Sequence, residues 1–323
     1  MKKPASVATE TAPSSTGSMD RGRVIGLTVL SIVVVFVASW LAVRGKQALA
    51  APMRANVAVP AELARFRADQ WFLPDEPLLG FVTIPAGMFT MGSDPAKDPA
   101  AYENEGWSQQ MRQGQVDVDE FFIGRYEVTI AQFAAFVKAT GRAVDSQTLQ
   151  GAGDLPVANV TWADAIAYAH WLEAQLRANA NTPQQLAGRL GDGWALSLPS
   201  EAQWEKAARG ADARIYPWGN APDNTKANFG RSGVVAVGAI ACAECAFGLA
   251  DMSGNVWELT RSPFQPYPYV DDEPRTVGAD ALFVMRGGAF NDGANNVRSA
   301  IRGGIDPGAR RPFIGFRLVL TKL

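Results

Sequence analysis

Histidine and cysteine are scarce in this chain of 323 residues, which contains one histidine and two cysteines. Metal centres built from imidazoles or thiolates need several such side chains, so this scarcity sharply limits the metal and redox chemistry available. Thirty basic and 32 acidic residues give a formal net charge of −2. No basic excess therefore indicates nucleic-acid binding.

One long apolar run is present, Val24–Val43, and it contains no charged residue. As a helix with a rise of about 1.5 Å per residue, it is about 30 Å long and spans the hydrocarbon core of a bilayer. A cleavable signal peptide has a shorter apolar core and a small-residue exit, and Ala48–Ala51 keeps cleavage open as the alternative. We expect an uncleaved transmembrane helix.

Basic residues on the two sides of this run favour one orientation. Four precede it within residues 1–23 and three follow it within residues 44–54. This small excess favours an inner-membrane protein with a disordered cytoplasmic tail (1–23) and its main part in the periplasm. We predict a juxtamembrane connector at 44–79, whose amphipathic stretch Ala61–Trp71 lies against the membrane or the domain, and a folded domain at 80–323.

The domain is rich in glycine, proline and tryptophan, which number 31, 20 and nine in the chain and indicate many loops. Alternation over residues 81–92 predicts a β-hairpin that turns at 85–87, and Gln115–Ile123 predicts one strand. Thr129, Thr161 and Ser200 predict three helix starts, and the helices end near residues 141, 177 and 210. The resulting fold class is α+β.

Several long motifs occur in a fixed order: residues 84–93 (IPAGMFTMGS), 121–129 (FFIGRYEVT), 156–173, 194–210 (WALSLPSEAQWEKAARG), 216–220 (YPWGN), 247–260 (FGLADMSGNVWELT), 284–290 (VMRGGAF) and 315–320 (GFRLVL). Together they resemble the formylglycine-generating enzyme domain, or sulfatase-modifying factor domain, over residues 80–323. The resemblance implies a single, irregular C-type-lectin-like fold. Tryptophans inside the motifs, Trp204, Trp218 and Trp257, are expected in the core.

The catalytic metal ligands that this resemblance implies are missing. Enzymes of the family bind copper through a cysteine pair just after the RGG-aromatic strand, and the matching residues 287–302 contain no cysteine. Members that make ergothioneine-type thiols use three histidines to hold iron, whereas His170 stands alone. Asn and Asp are hard oxygen donors that do not replace thiolates at Cu(I). We therefore expect neither copper nor iron.

Polar side chains nevertheless cluster around the position of the missing active site. The candidate groove residues are Arg286, Asn291, Asp292, Asn295, Arg298 and Arg302. For the arginines, salt bridges to acidic loops are the plainer interpretation. The alternative is a clamp for an anion or a peptide carboxylate.

The two cysteines, Cys242 and Cys245, lie in a loop before the motif at 247–260. In an oxidising compartment this spacing favours a short structural disulfide. Reactive redox pairs usually begin a helix within a βαβ unit, which is not predicted here. Thiol redox chemistry and metal binding remain the alternatives.

Calcium, bound at a structural site, is the remaining metal that the resemblance implies. Its ligands would be the carboxylates of Asp251 and Glu258 and the carbonyls of Gly254 and Val256, because calcium binds such mixed oxygen sets. The alternative is that Asp251 and Glu258 only cap turns. A second family site, which would begin at Asn228, lacks a downstream acid before Glu244 and is expected to be lost.

Three functions follow from these observations. The first is a membrane-anchored periplasmic accessory or binding protein, non-catalytic, that assists a periplasmic or membrane oxidoreductase or maturation system. Its analogues are the nitrite reductase accessory and pyoverdine-maturation relatives that carry this domain. The second is an oxidative modifying enzyme with an unrecognised centre. The third is a lectin-fold ligand-display protein. We favour the first.

Overall fold

A computed structural model describes residues 60–108, 112–268 and 281–323. Within these ranges no helix is long and apolar enough to cross a bilayer. The predicted anchor, Val24–Val43, the tail before it and most of the connector lie outside them.

Twelve strands and four α-helices occur in the described ranges. The strands are β1 Phe66–Arg67, β2 Leu73–Pro74, β3 Phe81–Ile84, β4 Gly87–Met91, β5 Gly114–Val118, β6 Phe121–Gly124, β7 Trp194–Ser197, β8 Trp257–Pro263, β9 Phe283–Arg286, β10 Arg302–Ile305, β11 Ile314–Gly315 and β12 Val319–Lys322. The helices are α1 Ile130–Thr140, α2 Trp162–Ala178, α3 Gln184–Gly191 and α4 Glu201–Arg209. Short strands among long loops agree with the predicted α+β class.

The strands form two four-stranded sheets and two two-stranded ribbons. The first sheet, in the order β3-β6-β12-β7, is antiparallel throughout. The second sheet has the order β10-β9-β8-β11, and its β11 strand runs parallel to β8. The ribbons are β1-β2 and β4-β5.

All three predicted helices are confirmed, and their starts have the predicted physical cause. Thr129, Thr161 and Ser200 each accept a hydrogen bond from the backbone N–H three residues later, and that residue's side chain bonds back. These reciprocal bonds satisfy amide groups that a helix start leaves unpaired. The additional helix α3 was not predicted, because its N-cap Pro183 offers no side-chain bond.

The predicted hairpin over residues 81–92 is wrong. Strand β3 pairs with β6 in the first sheet, whereas β4 pairs with β5 in a separate ribbon. The predicted strand Gln115–Ile123 is likewise divided into β5 and β6, with Asp119 and Glu120 between them. Alternation determines which side chains share a face, but it does not select the pairing partner.

The larger core lies between the first sheet and helices α1 and α2. Its aromatic centre consists of Phe133, Tyr168 and Phe316, which are all fully buried. The ring centroid of Phe133 lies 5.9 Å from that of Tyr168 and 6.2 Å from that of Phe316. Aromatic pairs at these separations add to the stabilisation from buried area.

A second core packs helix α4 against strand β6 and the loop before β8. Trp204 is fully buried there with Phe121 and Met252. Residues 60–79, within the predicted connector, also contact the folded part: Leu63 and Phe66 pack with Ala131 and Val237 in a smaller cluster.

Candidate functional site

An open groove lies between the loop around Tyr102 and the segment that follows β9. Its cavity of about 650 Å³ is lined by Tyr102, Glu103, Asn104, Trp257, Asn296, Ile301 and Arg302. Asn296 belongs to the segment that follows the RGG-aromatic strand, so the groove lies beside the position where the resemblance expects an active site. It is within the size range of ligand-binding pockets.

Arg298 holds the two walls of this groove together. Its buried guanidinium donates to Asp98 Oδ2 at 2.7 Å and to the two carboxylate oxygens of Glu105 at 2.6 and 2.7 Å. It also donates to the Asn295 carbonyl at 2.8 Å. Burial alone lowers the pKa of Arg298, but Glu105 and Asp98 outweigh it and raise this pKa above the usual value. Arg298 therefore stays charged and fixes the loop.

Arg286 and Arg302 bind carboxylates of helix α4 beneath the groove. Arg302 donates to both oxygens of Glu201, at 2.8 and 2.7 Å. Arg286 bonds to Glu205 and, at 3.3 Å, to Glu201. Burial lowers the pKa of Arg286, whereas Glu205 and other neighbours outweigh burial and raise it.

The three arginines are thus in buried ion pairs, as the plainer interpretation expected. Arg286 and Arg298 are fully buried and Arg302 is 4% exposed. Their partners are helix carboxylates as well as loop carboxylates. Their charge is compensated within the fold, so none of the three is free to clamp an anion.

The remaining candidates, Asn291, Asp292 and Asn295, occupy the segment after β9. Asp292 Oδ2 accepts from Trp257 Nε1 at 2.8 Å and from the Ala289 amide at 2.9 Å. Asn291 and Asn295 are exposed. Asp292 therefore orients the groove wall, while the two asparagines do not belong to the lining.

Sequence reasoning missed the opposite wall. Tyr102, Glu103 and Asn104 precede the wall segment around Asn296 by about 190 residues in the chain and carry no recognisable motif. Trp257 was expected only in the core; it is 8% exposed and lines the groove. Trp204 is fully buried as expected, and Trp218 is half-buried.

A disulfide joins Cys242 and Cys245, whose Cα atoms are 5.3 Å apart. Within this loop, the Glu244 carbonyl accepts from Arg214 at 2.7 Å, and the Glu244 carboxylate pairs with Lys226 at 2.5 Å. Neither cysteine lines the groove. His170 is exposed on helix α2.

The two acidic residues of the predicted calcium site, Asp251 and Glu258, lie in a buried, acid-rich cluster. Glu258 accepts bonds from Arg317 through both oxygens, at 2.5 and 2.6 Å, and from Trp204 Nε1 at 2.7 Å. Asp251 accepts from the Gly238 amide at 2.5 Å. Burial raises the pKa of Asp251, and it raises that of neighbouring Glu127 well above the usual range.

The donor set of this cluster is chemically suited to calcium, because it consists of hard oxygens. The electrostatics also leave an excess of carboxylates, since Arg317 is the cation that neutralises Glu258. However, within the described ranges no three Cys, His, Asp or Glu side chains are placed to hold a metal ion. Calcium binding by Asp251, Gly254, Val256 and Glu258 stays a prediction.

Comparisons with known proteins agree with the motifs. The chain is 28% identical to the formylglycine-generating enzyme of Thermomonospora curvata over 321 residues, which cover 77% of this chain and 96% of that protein. It is 30% identical to the hercynine oxygenase of Mycolicibacterium thermoresistibile over 306 residues, covering 75% of this chain and 62% of that longer protein.

Among solved structures, PvdO from Pseudomonas aeruginosa superposes with a TM-score of 0.60 at 26% sequence identity. The match covers 75% of this chain and 94% of PvdO. The family model described as the sulfatase-modifying factor enzyme 1-like domain matches residues 73–322. The chain therefore belongs to the sulfatase-modifying factor enzyme 1-like family, whose members include enzymes.

Proposed function

We propose that this chain is a non-catalytic binding member of its family. In this proposal Val24–Val43 anchors it in the bacterial inner membrane, and the family domain lies in the periplasm. There it assists a periplasmic or membrane oxidoreductase or maturation system, and its groove binds a ligand without oxidising it.

One observation carries the proposal: the groove lacks the side chains that hold copper or iron in catalytic relatives. Its lining contains no cysteine or histidine. Both cysteines of the chain are consumed in a disulfide whose loop contacts Arg214 and Lys226. Asp292, which follows the RGG-aromatic strand, instead accepts bonds from Trp257 and Ala289.

The competing function is oxidation by an unrecognised centre. The formylglycine-generating enzyme and hercynine oxygenase relatives give this alternative weight. In this chain it would require the Cys242–Cys245 pair to open and bind copper, or oxygen ligands to hold iron in the groove. Soft Cu(I) prefers thiolates, so oxygen ligands in the groove would suit iron but not Cu(I).

The deciding experiment uses the full chain in detergent, loaded separately with Cu(I) and Fe(II). A cysteine-containing peptide and hercynine serve as substrates under air, and the Thermomonospora curvata enzyme is the positive control for the peptide. We expect no product above the protein-free background by mass spectrometry. Turnover that requires copper or iron would overturn the proposal, and its loss in the Cys242→Ser/Cys245→Ser variant would assign the centre to the cysteine pair.

The location is tested separately. We expect the chain to resist extraction from membranes by alkaline carbonate, and residues 80–323 to become protease-sensitive in spheroplasts but not in intact cells. Release by carbonate would contradict the anchor. Protection in spheroplasts would contradict the orientation.

A further inference from the structure

We propose that the groove binds a neutral, hydroxyl-rich ligand, a saccharide, with one sugar ring stacked on Tyr102. This inference rests on the proposed function, because it treats the groove as a binding site rather than a reaction centre. Three features carry it: a fixed aromatic surface, a rim of planar polar groups, and a wall whose arginines Arg298 and Arg302 are already paired with carboxylates.

Tyr102 is the aromatic surface. Its side chain is 45% exposed, which is unusual among the large hydrophobic residues that the structure describes. Its hydroxyl donates to Asn296 Oδ1 at 2.9 Å, and the Arg298 guanidinium carbon lies 5.3 Å from its ring centroid. Because Arg298 is itself held by Asp98 and Glu105, the ring is fixed before a ligand binds. Such preorganisation lowers the entropic cost of binding.

The rim offers groups that match hydroxyls. Asn104 is exposed, and its amide nitrogen makes only a long contact of 3.5 Å with the Arg302 carbonyl. Its side-chain oxygen has no hydrogen-bond partner among the described residues. Glu103, also exposed, has no ion pair within those ranges. An amide donates and accepts, and a carboxylate accepts at two oxygens, so both complement a polyol.

The charges of the described wall disfavour an anion. Its two arginines are already paired, Arg298 with two carboxylates and Arg302 with Glu201. Glu103 places one exposed carboxylate at the rim, so a cation is the competing ligand, and the tetralysine peptide tests it. A neutral ring needs no counter-charge and still uses the aromatic face.

The size of the groove also fits. About 650 Å³ is within the usual range for ligand pockets and exceeds the volume of one sugar ring. A short oligosaccharide therefore fills it better than a monosaccharide. We expect one ring on Tyr102 and its neighbours within reach of Asn104 and Glu103.

The test uses the full chain in detergent and four neutral probes: maltotetraose, cellotetraose, tetra-N-acetylchitotetraose and mannotetraose. A tetralysine and a tetraglutamate peptide are the charged comparisons. Saturation-transfer NMR and titration of tryptophan fluorescence measure binding. We expect saturable binding of at least one tetrasaccharide and none of either peptide. No saturable tetrasaccharide, or tighter binding of tetralysine, overturns the inference.

Variants of the groove residues test where the saccharide binds. Tyr102→Ala should weaken the saccharide affinity about tenfold, whereas Tyr102→Phe, which keeps the ring, should weaken it less than threefold. Asn104→Ala should give an intermediate loss. Met88→Ala, at a 54% exposed position on β4, is the control with no expected change. Near-ultraviolet circular dichroism checks the fold, and equal affinities of the Tyr102→Ala and Met88→Ala proteins contradict the inference.

The two proposals fail in distinguishable ways. Metal-dependent turnover in the oxidation assay removes the non-catalytic function, whatever the saccharide titration shows. Loss of saccharide binding with no turnover removes only the ligand class.

Discussion

In the first sheet, inward-facing side chains such as Phe122, Leu196 and Leu320 pack against helices α1 and α2 in a continuous apolar core. In the second sheet, strands β8, β9 and β10 contribute Glu258, Arg286 and Arg302, all buried and all ion-paired. The two sheets are similar in size, yet these buried ion pairs lie on the second, which also contributes apolar side chains such as Leu259 to the larger core. The groove lies on the second sheet.

This contrast indicates which interactions fix the positions of the groove walls. Apolar packing is non-directional and tolerates small shifts, whereas a bidentate arginine–carboxylate pair fixes distance and angle. Buried pairs are not efficient stabilisers, since desolvation offsets much of their attraction. We interpret the network around Arg286, Arg298 and Arg302 as a device that positions the groove walls.

The largest effect should follow from breaking the network of the second sheet. Arg286→Met removes a fully buried guanidinium and leaves Glu201 and Glu205 with less compensation. We expect a loss of about 4 kcal/mol in the free energy of unfolding by urea. The matched control is Arg189→Met, whose pair with Glu120 is half-exposed, with an expected loss below about 1 kcal/mol. Similar losses for both would show that burial of the network does not matter.

A truncation in the first sheet should cost somewhat less. Leu196 in β7 is 1% exposed, and Leu196→Ala is expected to lower the free energy of unfolding by about 3 kcal/mol through lost burial and a cavity. Leu323→Ala, at a position 72% exposed, is the control and should change it by less than about 0.5 kcal/mol. Saccharide affinity should be unchanged in both, because neither residue contacts the groove. A selective loss of affinity in Leu196→Ala would remove the distinction between the sheets.

The smallest effect concerns a charged site beside the apolar core. Burial raises the pKa of Asp164, but hydrogen bonds from Arg142 and Thr161 outweigh it and lower this pKa below the usual 3.8. The folded state therefore binds the proton more weakly than the unfolded state. The stabilisation that ionised Asp164 provides is present above pH 3.8 and is lost as the pH falls through the pKa that Asp164 has in the folded state.

Asp164→Asn should lower the free energy of unfolding by about 1 kcal/mol at pH 7, since both arginine partners are partly exposed. It should also flatten the fall in stability below pH 3.8, measured by urea unfolding across pH. Asp192→Asn, at an exposed site, serves as the control for general charge effects. An unchanged acid slope in Asp164→Asn would contradict the assignment.

Local signals predicted the helices well. The capping residues Thr129, Thr161 and Ser200 act within one turn, so the sequence contains both partners of each bond. Strand pairing was predicted poorly: β3 and β4 are separated by two residues and belong to different sheets. The hairpin failed because pairing depends on β6, which lies more than 30 residues away.

The candidate site, too, was predicted only in part from the sequence. The missing cysteine pair, the positions of Arg286, Arg298 and Arg302, and the family itself were readable from motifs. The wall formed by Tyr102, Glu103 and Asn104 was not, because nothing in that loop indicates that Arg298 binds Asp98 and Glu105.

By itself the sequence determined the family, the helix starts and the shortage of thiol and imidazole ligands, because these depend on residue identity and short spacing. Only the tertiary structure decided which carboxylate neutralises each arginine and which loop faces Trp257. These pairings join residues about 100 to 200 positions apart in the chain. They form because a charged side chain that becomes buried on folding must be paired with an opposite charge.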